Sequence, residues 1–160
     1  MAITGEPNRV PQFRQKLEES LAEPEPMCLA MVRVGTDVLG GSQGGAGYGS
    51  GADVDELMAA VQGRLSQQLR RYDLMARVEE NTFMLVVKTL ADTRVLDARM
   101  YQLYGALSEP YEIAGRSVSV PMTLGAAVRL PSESAAALMQ RTDKALATAG
   151  AAGGKAPVLI

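Results

Sequence analysis

Histidine is absent from the 160 residues, which removes the commonest general base and the commonest metal ligand at once. Any catalysis would have to run on carboxylates, on lysine or on a nucleotide-bound metal. The one cysteine, Cys28, lies in an apolar run and excludes an internal disulfide, so a reducing cytoplasm is the expected home. A formal net charge of −2 leaves no electrostatic footprint for a nucleic-acid polymer or an anionic membrane. No apolar stretch approaches the roughly 20 residues of a membrane-spanning helix, and no signal-peptide pattern opens the sequence. What is present is 47% hydrophobic and 21% charged, as in an ordinary globular protein, at a length that suits one domain with a core needing no staples.

The hydrophobic pattern changes period several times. Pro7 and Asn8 open a helix whose Val10, Phe13, Leu17 and Leu21 fall at helical spacing, and Pro24 and Pro26 end it. Residues 27–34 form an apolar run broken only by Arg33, the length of a buried strand. Residues 40–51 carry seven glycines in twelve positions. No P-loop Lys-Ser/Thr follows them, so they read as a flexible loop rather than a phosphate cradle. From Asp53, the residues Val54, Leu57, Met58, Val61, Leu65 and Leu69 make a helical stripe that reaches Arg71.

Residues 74–78 and 83–87 predict two strands joined by the polar turn Glu79-Glu80-Asn81. Another amphipathic helix is expected over 93–107. A small hairpin turning at Ala114-Gly115 then feeds a longer strand ending at Val128. A helix over 134–149 and a terminal strand over 157–160 complete the chain. The order predicts an α+β fold in which one mixed, mostly antiparallel sheet is flanked by helices. The nine methionines lie mostly on apolar faces and read as core filler.

The stretch from Arg70 to Phe83 carries a signature. Arg70 and Asp73 form an Arg-x-x-Asp, followed by a short strand, by Glu79-Glu80-Asn81-Thr82, and by Phe83. This resembles the bacterial GGDEF domains (diguanylate cyclases), in which Arg-x-x-Asp precedes a Gly-Gly-Asp/Glu-Glu-Phe hairpin. Other pieces carry the resemblance along the whole chain. Residues 3–9 (Ile-Thr-Gly-Glu-Pro-Asn-Arg) are similar to the family's Leu-Thr-Gly-x-Pro-Asn-Arg opening. Tyr48-Gly49 is similar to its aromatic-Gly-His turn, with Ser50 in place of His. Residues 120–128, with Gly125, resemble its late strand, and Asp143-Lys144-Ala145-Leu146 its final helix. The resemblance implies a palm-like fold of the nucleotide-cyclase kind and a single GGDEF domain over 1–160, expected to be a fragment of a longer signalling protein.

The same resemblance places substitutions at the family's reacting positions. Its first metal-binding Asp falls on Gly35 and the hairpin ligand on Asn81, while the adjacent catalytic acid falls on Thr82. Asp37 cannot stand in for position 35, because two residues of extended chain span about 6–7 Å. Glu79 and Glu80 replace two glycines, adding bulk and charge where phosphate would approach the backbone. The guanine-reading Asn and its partner Asp fall on Gln43 and Ala52, with Asp53 one residue away. Two late phosphate-binding positions fall on Gly150 and Gly154, leaving Lys155 nearby. The expectation is a degenerate domain that is not an enzyme and holds no metal and no cofactor.

In the family, Arg-x-x-Asp is an inhibitory site for cyclic di-GMP, bound as a stacked dimer. The resemblance therefore implies cyclic di-GMP binding through Arg70 and Asp73, completed by an arginine of the following helix, Arg99 or Arg94. The residue types fit. A guanidinium grips guanine O6 and N7 as a fork, and a carboxylate accepts from N1–H and the exocyclic amine. Tyr72 between them suits base stacking or strand-edge packing. The bland alternative is a charged helix end meeting solvent, with arginine favoured there by the helix dipole. Two functions stay open: a cyclic di-GMP receptor acting on a protein partner, or a ligand-independent interaction or dimerisation domain.

Overall fold

The computed structural model describes residues 10–40, 51–71 and 73–160. The expectations for the 3–9 motif, most of the glycine-rich segment with Gln43, Tyr48 and Ser50, and Tyr72 lie outside the described residues. The elements run α1 (Val10–Leu21), β1 (Met27–Val34), α2 (Asp37–Gly40), α3 (Gly51–Gln68), β2 (Leu74–Glu79), β3 (Thr82–Lys88) and α4 (Arg94–Leu107). They continue with β4 (Tyr111–Ile113), β5 (Arg116–Val118), β6 (Met122–Val128), α5 (Ala135–Ala151) and β7 (Val158–Leu159).

β1 has no polar alternation because both of its faces are covered. Cys28, Ala30, Val32 and Val34 point to a core shared with Leu57, Met58, Val61 and Leu65 of α3 and with Leu96, Met100, Leu103 and Leu107 of α4. Met27, Leu29 and Met31 point the other way, onto Phe13 and Leu17 of α1 and onto Leu138 and Leu146 of α5. Hydrogen bonding orders the sheet β2-β3-β1-β6-β7. All neighbours are antiparallel except β6 and β7, which run parallel. The expected mixed, mostly antiparallel sheet between helices is therefore what the chain forms.

Two boundaries differ from the sequence pattern. The strand expected over 117–128 is divided: β5 pairs only with β4 in a separate hairpin, and β6 starts after Pro121, which has no N–H for a ladder. α3 stops at Gln68 rather than at Arg71. The Arg70 N–H that would continue the helix donates instead to Asp73 Oδ2 at 2.8 Å, a side chain outcompeting a helical carbonyl.

α5 lies directly on the sheet at Gly125, which pairs with Met31 at the sheet centre. A Cβ at Gly125 would sit 2.1 Å from the Leu146 backbone nitrogen. Ser134 caps the helix by accepting from the Ala137 N–H at 3.1 Å, and Arg141 ties it to Glu133 at 2.9 Å. Gly125→Ala must push α5 off the sheet. It is expected to destabilise the fold by about 3 kcal/mol, the upper part of the range for overpacking, read as a lowered midpoint of chemical unfolding.

Candidate functional site

The antiparallel register of β1 and β3 brings the β2–β3 turn beside the C-terminal end of β1. There the Val34 N–H donates to the Asn81 carbonyl at 2.8 Å. The Asn81 carboxamide donates back to the Val34 carbonyl at 3.2 Å and accepts from the Thr82 hydroxyl at 3.3 Å. The next residue, Gly35, donates its N–H to the Pro121 carbonyl at 2.8 Å. Gly35 and Asn81, far apart in sequence, thus meet at one strand end, and neither has a carboxylate.

The packing at Gly35 goes further than a missing side chain. A Cβ there would lie 2.9 Å from the Pro121 backbone oxygen and 3.2 Å from the ring carbons Cβ and Cδ of Pro121. Asp37 opens the short helix α2 and is exposed. Among the described residues no group of three or more His, Cys, Asp or Glu side chains is placed to hold a metal ion. The donors among the described residues at this strand end do not fit Mg²⁺, which takes one or two carboxylates besides phosphate oxygens.

The hairpin is a tight two-residue turn, Glu80-Asn81, with a register shift between Arg77 and Glu79. Arg77 clamps it, donating from Nε at 2.9 Å and from a terminal nitrogen at 2.6 Å to the Glu80 carbonyl. Glu79 and Glu80 are exposed, and Thr82 is buried. Ala52 is exposed in the first turn of α3. The Gly154 carbonyl accepts the Tyr104 hydroxyl, and its N–H donates to the Ala149 carbonyl at 2.8 Å, closing the end of α5.

The only cysteine offers no nucleophile. Burial pushes the Cys28 thiol from its ordinary 9.0 up to about 12, only partly opposed by the nearby Arg99 charge. The folded state favours the neutral thiol. Its contribution to stability is complete below about 9 and is lost as pH rises toward 12. Cys28 is expected to resist a thiol reagent such as DTNB in the native protein and to react at once in denaturant.

At the opposite end of the sheet, Asp73 lies just before β2, and it is not an exposed helix end: it is 1% exposed. Its Oδ2 accepts from the Arg70 N–H at 2.8 Å and from the Arg99 guanidinium at 2.8 Å, and its Oδ1 from the Lys88 N–H at 2.9 Å. Arg99, from the inner face of α4 and 8% exposed, also donates to the Gln68 carbonyl at 3.2 Å and the Lys88 carbonyl at 3.3 Å. One ion pair therefore joins the end of α3, the start of β2, the end of β3 and α4. Arg94 pairs with Asp92 at 3.2 Å on the surface instead. The Arg94 N–H, and then its guanidinium, hold the Asp92 carboxyl below the usual range.

Arg70 is exposed and lines a groove of about 440 Å³ with Glu23, Glu25, Lys88, Thr89, Leu90 and Ala91. Lys88 Nζ stands 3.9 Å from Glu23 at its edge. Only Arg70 of this set was legible in the sequence. The others come from the α1–β1 connection, the end of β3 and the β3–α4 connection, and no local pattern marks them.

Because Asp73 is buried and paired rather than solvent-facing, a substitution there acts on stability. Asp73→Ala is expected to cost about 3–5 kcal/mol, the usual result of stripping one partner from a buried pair. Arg94→Ala, at a pair whose arginine side chain is 89% exposed, should move the urea midpoint very little.

The sequence matches the family described as "Diguanylate cyclase, GGDEF domain" over residues 2–156, and the chain belongs to that family. Solved structures share its fold. The GGDEF domain of PA1120 (TpbB or YfiN) from Pseudomonas aeruginosa is 22% identical with a TM-score of 0.83, over 96% of this chain and 89% of that one. The GGDEF domain of DgcB from Caulobacter crescentus, solved with c-di-GMP, is 18% identical with a TM-score of 0.79, over 98% and 92%. The cyclase SiaD from Pseudomonas aeruginosa, solved with its activator SiaC, is 19% identical with a TM-score of 0.73, over 92% of this chain and 58% of that one. No curated protein matches the sequence.

Proposed function

We propose that this chain is a GGDEF domain without cyclase chemistry that serves as a receptor for cyclic di-GMP, gripped at the groove beside Arg70. The observation that carries the reading is the contrast between the two ends of the sheet. At the β1 end, both positions assigned to metal-binding carboxylates hold other residues, and the Pro121 carbonyl fills the space a side chain at Gly35 would need. At the other end, Arg99 and Asp73 hold the turn that presents the exposed Arg70 to the groove.

A guanidinium there can take guanine O6 and N7 as a fork and reach a phosphate as well. The similar DgcB domain, solved with c-di-GMP, supports that ligand class. In this reading Arg70 touches the ligand, Arg99 positions the turn, and Arg94 has no part. Asp73 acts chiefly as an anchor, and the ligand is a stacked dimer of cyclic di-GMP. The domain is one module of a longer bacterial signalling protein in the cytoplasm. It passes occupancy to a protein partner or to a second copy of itself; the similar cyclase SiaD, solved with its activator SiaC, supports the protein-partner class.

Purified protein supplied with GTP and Mg²⁺ or Mn²⁺ is expected to make no cyclic di-GMP. Turnover that disappears on changing Asp37 or Asp53 would overturn the loss of chemistry. The double variant Gly35→Asp with Asn81→Asp is expected to stay inactive, because the Pro121 carbonyl leaves position 35 no room for a Cβ.

Titration calorimetry tests the receptor. Arg70→Ala should cost about 1–3 kcal/mol of binding, roughly five- to a hundredfold in affinity. Arg70→Lys should lose much of the same, since an ammonium cannot form the fork. A second reading, a docking domain that needs no ligand, is favoured by the engagement of both Asp73 oxygens with donors of the protein itself. Absence of binding at tens of micromolar would select it.

A further inference from the structure

Glu25 lies between Pro24 and Pro26 in the connection from α1 to β1. Both flanking backbones have a restricted φ, and the Pro26 carbonyl accepts the Thr89 N–H at 3.0 Å. The Glu25 connection is thereby fastened to the β3–α4 connection on the other side of the groove. Its carboxyl oxygen Oε2 is buried and has no hydrogen-bond partner, alone among the buried side-chain oxygens and nitrogens of the described residues. A buried acceptor in that state is costly until a donor reaches it.

The neighbouring cation does not supply that donor: Lys88 is engaged with Glu23 at 3.9 Å. Arg70 lines the same groove, and Leu90, 85% exposed, offers an apolar surface beside it. Asp73, to which the family resemblance would give the guanine-reading role, is 1% exposed with both oxygens already accepting.

We propose that Glu25 is the specificity-determining acceptor of this groove, taking the guanine N1–H and exocyclic amine in the place that Asp73 cannot fill. The inference rests on the receptor reading above. Two adjacent donors on one base edge match a carboxylate, whereas adenine presents its N1 lone pair on that edge and is repelled. Arg70 then holds O6, N7 or phosphate from another side, and Leu90 covers a face of the base.

Calorimetry with cyclic di-GMP, its inosine analogue lacking the exocyclic amine, and cyclic di-AMP tests this on the whole chain. Wild type should prefer cyclic di-GMP over the inosine analogue by about tenfold, and over cyclic di-AMP by more. Glu25→Gln should weaken cyclic di-GMP binding at least about tenfold and abolish the preference over the inosine analogue. Arg70→Ala should weaken both ligands and keep the preference. Without ligand, Glu25→Gln should melt at or above the wild-type temperature, because Oε2 has no hydrogen bond to lose.

Unchanged affinity and preference in Glu25→Gln, with wild type binding, would overturn the role of Glu25 and leave the receptor reading standing. A ligand-free midpoint lowered by more than about 4 °C would show that Oε2 has a structural partner, and would overturn it too. Failure of wild type to bind cyclic di-GMP at tens of micromolar would overturn both.

Discussion

The Asp73–Arg99 pair holds together four elements that meet nowhere else in the same way. Three N–H donors converge on one buried carboxylate, and the guanidinium makes two further bonds to backbone carbonyls. Burying two charges is costly, and a bare ion pair often fails to recover that cost. Here the charges come with nearly complete hydrogen bonding, the condition under which a buried pair is stabilising rather than neutral. The pair also explains the shape of the adjoining groove. By capturing the Arg70 N–H, Asp73 ends α3 and turns the chain, so that the Arg70 side chain faces outward at the groove edge.

The opposite end of the sheet is held by backbone and amide hydrogen bonds rather than by a buried ion pair. The register of β1 against β3 and β6 depends on apolar residues facing two cores, up to Val34 at the very end of β1. Gly35 and Asn81 lie just beyond those residues, Gly35 after β1 and Asn81 in the turn between β2 and β3. These two positions make contacts of their own: Asn81 clamps Val34, and Pro121 closes on Gly35. A carboxylate at position 35 would thus require moving backbone as well as changing a side chain.

The sequence by itself determined the elements and their order. The apolar run at Met27–Val34, the helical stripe from Val54 to Leu69 and the polar turn before Thr82 each carry a local period, and a period needs only neighbouring residues to be read. Gly35, Asn81 and Thr82 could be singled out for a similar reason, by their place in a local motif. Tertiary structure decided what Arg-x-x-Asp does. Spacing alone cannot distinguish a carboxylate facing solvent from one facing an arginine 26 positions further on, and burial settled that by turning Asp73 inward. It also decided the groove, because Glu25, Arg70 and Leu90 come from three connections that only the folded sheet brings side by side. The division has one physical cause: periodicity is a property of a segment, whereas desolvation and charge pairing depend on whatever the rest of the chain packs against it.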